Sequence, residues 1–223
     1  MLNYVSHTKK NFRGDLKTFL MMILAITFGI EVNAQNFADN LNFGLRAGLN
    51  MTTISGITES GLELGLTAGV GSKYHISGNS SMSAELLYTT GGMSTDITVE
   101  TTDTKIKTYD KLHLHYIAIP VVYQYYFNDI LGLEIGPQIG FCLGGKEKHK
   151  VGNESWVSSK LSPADYNVFD CGILAGIYTN NISHENDFLV SLRVYFGLTD
   201  AMKRESSNKN ICIQFGIGYI IGE

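Results

Sequence analysis

The stretch LNFGLRAGLNM at 41–51 puts Leu41, Phe43, Leu45, Ala47, Leu49 and Met51 on odd positions and Asn42, Gly44, Arg46, Gly48 and Asn50 on even ones. A period of two is that of a β-strand, whose successive side chains point to opposite faces. One face is oily, and the other is glycine and polar. The same alternation returns in 62–76, where Leu62, Leu64, Leu66, Ala68 and Val70 oppose Glu63, Gly65, Thr67, Gly69, Gly71 and Lys73. It returns in 82–90, with Met82, Ala84, Leu86 and Tyr88 against Ser83 and Glu85, and in 131–143, with Leu133, Ile135, Ile139 and Phe141 against Glu134, Gly136, Gln138 and Gly140. Segments 168–178, 188–199 (Val190, Leu192, Val194 and Phe196 opposing Ser191, Arg193 and Tyr195) and 210–221 complete the set. Segment 112–127 is less regular, and Pro120 within it predicts a bulge or shifted register. No stretch sustains helical spacing.

Eight strands follow, and their connections alternate in length. Segments 52–61, 91–111, 144–167 and 200–209 are long; 77–80, 128–129 and 179–187 are short or moderate. Long loops at one end and both termini at the other describe an eight-stranded antiparallel up-and-down barrel. Alternation alone does not separate a lipid-embedded barrel from a soluble carrier with an oily interior. The polar face does. A water-exposed exterior would be studded with lysine and glutamate, whereas this face is mostly glycine with a few opposed charges. The reading is a transmembrane barrel with Leu45, Leu66, Ile135 and Val194 facing lipid. Its interior, just wide enough for side chains, would be filled by a polar network of Arg46, Glu63, Lys73, Glu85, Gln124, Glu134, Gln138, Arg193 and Gln214. Tyr74, Tyr125, Tyr178 and Tyr219, with Tyr126, Phe127 and Phe188, cluster toward the short-turn ends, where an interfacial girdle would lie. Closure also pairs every backbone polar group, as hydrocarbon demands.

Composition and the N-terminus agree. Only 17% of the 223 residues are charged, 24 are glycine and the net charge is −4, so disorder fits poorly and a nucleic-acid partner has no electrostatic footprint. Lys9, Lys10, Arg13 and Lys17 precede the apolar run 19–30 and the small-residue site Val32-Asn33-Ala34. Basic, apolar and cleavable in that order is a secretory signal peptide, and twelve residues fall short of the ~20 of a membrane-spanning helix. Residues 1–34 are thus expected to be removed, leaving a barrel domain over 35–223 with 13 basic and 19 acidic residues.

The phrases FGLRAGLNMTTISG (43–56), AELLYTTGG (84–92), YIAIPVVYQYYF (116–127), LEIGPQIGF (133–141), FDCGILAGIY (169–178) and LRVYFGLTDAM (192–202) resemble, in this order, the Bacteroidota outer-membrane β-barrel family often called PorT-like. The resemblance implies an eight-stranded barrel in a Gram-negative outer membrane, with lipid and the barrel-assembly machinery as partners. Chains of this type usually end in an aromatic or apolar residue read by that machinery; this one departs from the pattern, ending Tyr219-Ile220-Ile221-Gly222-Glu223.

Nothing else rises to chemistry. His113 and His115 share a strand face, but no third metal ligand is evident. His149, Glu154 and Asp165 resemble the acid–base groups of outer-membrane proteases without their paired aspartates. No catalytic set, cofactor motif or metal site is expected. Cys142 and Cys212 are expected to face the lumen and Cys171 the other side, as free thiols. Loop 91–111 reads as a solvated cover over the barrel, with extension of its flanking strands into a hairpin edge as the alternative. Trp156 in 144–167 is expected to pack on the rim, or else to anchor an unknown surface partner reached through these two loops. The function expected is surface contact or envelope integrity by a plugged barrel; the alternatives are a small channel and a soluble lipid carrier.

Overall fold

The computed structural model describes residues 40–57, 60–101, 104–128, 130–152, 154–179, 188–203 and 207–221. The expected leader, Gly222 and Glu223 lie outside these residues. The described residues hold ten strands: β1 (Leu41–Ile54), β2 (Ser60–Gly61), β3 (Glu63–Ser77), β4 (Ser80–Thr101), β5 (Thr104–Tyr126), β6 (Leu131–Val151), β7 (Val157–Lys160), β8 (Phe169–Thr179), β9 (Phe188–Asp200) and β10 (Lys209–Ile221). Eight of them form a ring. Each long strand pairs antiparallel with its sequence neighbours, and β1 closes the circle by pairing β3 on one side and β10 on the other, with Leu45 opposite both Val70 and Tyr219. The two short strands are additions, β2 on β4 and β7 on β6. The eleven residues of β8 match the 9–11 that a tilted strand needs to cross hydrocarbon.

The faces are oriented as the alternation predicts. Leu45, Leu66 and Ile135 are 51%, 61% and 57% exposed on the outside, and Val194, half-buried, lies among the outward Ile213 and Ala175. Arg46, Glu85, Glu134 and Arg193 are buried inside. A soluble carrier with an oily interior is ruled out by this inversion.

Three features differ from expectation. Segment 91–111 is a hairpin rather than a solvated loop: β4 and β5 stay paired from Ser80↔Tyr125 up to Thr101↔Thr104. With the outer part of β6 and with β7 it makes a four-stranded ribbon rising past the ring. The threonine-rich, alternating sequence there is as good a strand as the wall below. Secondly, Pro120 shifts no register. Ala84↔Val121 and Leu87↔Ala118 lie in one frame, as do Pro120↔Gln138 and Tyr123↔Ile135. The shift in β5–β6 falls instead between His115 and Tyr116, where His115 pairs Gly144 and Tyr116 pairs Cys142, leaving Leu143 as the extra residue. Gly144 sits at φ 135°, a backbone shape that favours glycine. Thirdly, the interior is not polar throughout. Ile54, Leu112, Leu114, Tyr116, Cys142, Tyr166 and Ala201 form a buried apolar cluster at the long-loop end. Segments beyond the strands are tied over it by Cys142 N donating to Val168 O (2.7 Å), Asn167 N to Ala201 O (2.9 Å) and Met202 N to the Asn208 side chain (2.6 Å).

Candidate functional site

Inward side chains of eight strands meet at the ring's axis, and the largest fully buried one among the described residues is Arg193 of β9. Its planar guanidinium donates to two carboxylates at once. Nη1 and Nη2 reach Glu85 of β4 at 2.7 and 2.9 Å, while Nε and Nη2 reach Glu134 of β6 at 2.5 and 2.9 Å. Arg46 of β1 adds an ion pair to Glu85 (3.2 Å) and donates to Ser191 Oγ (2.6 Å). Gln124 of β5 donates to Glu134 (3.0 Å) and accepts from Ser81 (3.2 Å). Five of the eight ring strands are thereby tied through one bidentate centre, the geometry for which arginine is suited. Two arginines stand against two glutamates, so every buried charge of the centre has an opposite partner that offsets its desolvation.

Large lumenal side chains lie over glycines of neighbouring strands. Arg193 opposes Gly176 and Glu85 opposes Gly71; a Cβ on these glycines would come within 3.0 and 2.9 Å of the respective side chains. At Gly176 that Cβ would also meet Leu192 O at 2.7 Å, backbone that cannot swing away. Gly176→Val is therefore expected to destabilise the barrel by roughly 1–3 kcal/mol, the usual cost of overpacking, measured as a lower urea midpoint in detergent.

The sequence-predicted network separates into three levels. Arg46, Glu85, Gln124, Glu134 and Arg193 come together as described. Gln214 donates to Asn50 (3.0 Å), and half-buried Gln138 lines a cavity of about 60 Å³ with Leu87, Asp170, Leu174, Tyr195 and Asn210, between the charges and the apolar cluster. Lys73 is not in the network. It stands at the short-turn end, 4.9 Å from the Tyr126 ring centroid and 6.0 Å from that of Tyr178, a cation–π arrangement. Glu63 is not in it either: buried at the opposite end, it faces Lys111 at 3.8 Å and His113 at 3.3 Å. Burial lowers His113 below the ordinary imidazole range; Glu63 opposes that, and Lys148 and Lys111 add to it.

Tyr178 is corrected from girdle to lumen. It is 2% exposed, packs edge-on against Tyr126 at 5.3 Å and covers Gly132, whose Cβ would come within 2.5 Å of the tyrosine ring. The alternation of 168–178 places it inward with Leu174 and Asp170, because parity along the strand, and not nearness to a turn, fixes the face of an aromatic. Tyr125 and Tyr219 do face outward, packed on Phe127 (5.6 Å) and Phe188 (5.1 Å), and half-buried Tyr74 shares the outward side with Met82. Among residues not singled out from sequence, buried Asn50 donates to Thr89 Oγ1 (2.6 Å), and Asp170 accepts from Thr199 (2.9 Å) and Asn210 (3.0 Å). The even–odd frame already held them. His113 and His115 turn to separate partners, Glu63 and the Tyr88 hydroxyl (2.7 Å), and His149 bonds Asp110 (2.5 Å). Cys142, Cys171 and Cys212 are free thiols.

A polar, salt-bridged centre inside an oily ring suits a lipid-embedded barrel, and the family comparison decides it: residues 33–203 match the family described as outer membrane protein beta-barrel domain. The chain belongs to that family. Its place is the outer membrane. Among solved structures, this outer-membrane barrel is similar to Ail of Yersinia pestis, with 13% identity over 82% of this chain and 99% of that one (TM-score 0.41). It is similar to Neisserial surface protein A, with 13% identity over 79% and 96% (TM-score 0.45), and to OprG of Pseudomonas aeruginosa, with 12% identity over 82% and 96% (TM-score 0.36). No protein with a curated description matches.

Proposed function

We propose that the protein is a non-enzymatic outer-membrane barrel whose lumen is plugged and whose raised ribbon serves surface contact or envelope integrity. The observation that carries the plugged reading is the Arg193–Glu85–Glu134 centre, which crosses the axis, with the apolar cluster stacked on its long-loop side. The cavity between them, about 60 Å³, has room for a few waters. We further assign the chain to the Bacteroidota PorT-like group on the ordered phrases given above, with the barrel-assembly machinery as its folding partner.

In planar bilayers the refolded protein is expected to give negligible conductance. Steady single-channel currents, abolished by bulky replacement of Gly69 or Gly136, would establish the channel reading instead. In intact cells, added protease is expected to cut within 91–111 or 144–167 and nowhere in the ring strands; protection of both segments would place the ribbon on the periplasmic side and remove the surface role.

A further inference from the structure

In β6 the run Lys146-Glu147-Lys148-His149-Lys150 alternates charge, and the register with its neighbours sorts that charge onto two faces. Lys146 opposes His113 and Lys160, Lys148 opposes Lys111, and Lys150 opposes Tyr109. Opposed residues share a face. Glu147 opposes Leu112 on the other face, where it lines a cavity of about 160 Å³ with Asp110, Asp165 and part of Lys111. Glu147 thus turns to the mouth, and Lys146, Lys148 and Lys150 turn outward, with Lys111 between the two.

Trp156, 44% exposed, stands between Lys111 and Lys150, with each Nζ 5.9 Å from its ring centroid. Two lysine–lysine pairs directly across strands repel each other, a cost that a sheet normally avoids. Among the described residues, buried Glu63 lies 3.8 Å from Lys111, and Asp96 opposes Tyr109 on this face. Immediately below, the same wall continues as exposed Leu143 and Phe141 of β6 and the Tyr88–His115 pair. At about 3.3 Å per residue along strands tilted by about 40°, Lys146 and Lys148 stand roughly 8 and 13 Å above Leu143. That is headgroup height over an oily wall.

We propose that this outward face of the ribbon binds the phosphate groups of an anionic lipid headgroup in the outer leaflet, with Lys111, Lys148 and Lys150 as ligands around Trp156 and with Lys146 and Lys160 extending the site. The proposal rests on the outer-membrane placement and deepens the envelope-integrity reading. The lysines supply charge, the alkyl wall below holds the lipid's chains, and the ring of Trp156 excludes water between them.

Trp156 is the only tryptophan of the chain, so its emission reports the site directly. The full chain is refolded into phosphatidylcholine nanodiscs doped with increasing lipid A, a diphosphorylated glycolipid. A saturable change in emission is expected, absent when the dopant lacks phosphate and weakened by raising salt. Lys111→Gln/Lys148→Gln/Lys150→Gln is expected to shift the half-maximal lipid A content at least tenfold, whereas Lys209→Gln, at the Asp200 pair, leaves it unchanged. Folding of each variant is read from its heat-modifiable gel mobility, and Lys146→Gln/Lys160→Gln serves if the triple variant does not fold. An equal response to phosphate-free lipid, or an unshifted triple variant, overturns the proposal. So does an equal response of undoped discs to soluble polyphosphate, which would assign the face to a soluble polyanion. A conducting lumen would remove the plugged reading and leave this titration untouched.

Discussion

Replacing Arg193 by methionine is expected to lower the unfolding free energy by about 3–5 kcal/mol, the cost of stripping one partner from a buried ion pair. The guanidinium makes four charge-assisted hydrogen bonds, two to each carboxylate. Without it Glu134 keeps Gln124 alone and Glu85 keeps Arg46 alone, with both carboxylates buried. Two carboxylates near one another in a low-dielectric centre must then protonate or draw the strands apart. Urea titration in detergent, followed by gel mobility, measures the loss. The control is Arg46→Met/Glu85→Gln/Glu134→Gln/Arg193→Met, which removes all four charges of the centre and is expected to recover most of the stability, because replacing a whole buried ion-pair set is often neutral. A loss below about 1 kcal/mol for the single variant would mean that the charges are hydrated and the centre is not a plug.

Leu114→Ala is the second large effect. Leu114 is fully buried in the apolar cluster, against Ile54, Tyr116 and Tyr166. Removing its side chain costs about 2–5 kcal/mol where the surroundings do not collapse into the space. The cluster joins the end of the ring to the segments carrying Tyr166 and Ala201, so the loss is expected to be local. Protease should cut 161–168 faster while the ring keeps its gel mobility. Conductance should stay negligible, since the charge centre lies below. If the cut rate is unchanged, the cluster does not hold those segments down.

Much of this barrel was legible as sequence. The period of two, the eight segments and the glycine-rich inner face gave strand number, closure and the side of the wall on which Leu45 and Arg46 stand. These follow from local geometry, because in a strand every second residue shares a face whatever lies across from it. The members of the charge centre were legible for the same reason. Their grouping was not: Lys73 and Glu63 have the parity of Arg193, but their heights along the axis set them at opposite ends, and height depends on stagger between strands.

Tertiary pairing decided the rest. Carried straight along β6, the frame that turns Glu134, Gly140 and Cys142 inward would also turn Lys146, Lys148 and Lys150 inward. One extra residue at Leu143, allowed by the backbone of Gly144, exchanges the two faces and sets the lysines outward beside Lys111 and Trp156. A sequence carries the period of its strands, but a bulge resets the phase, and where it falls is chosen by the partner strand and by what can be buried at Leu112 and Leu114.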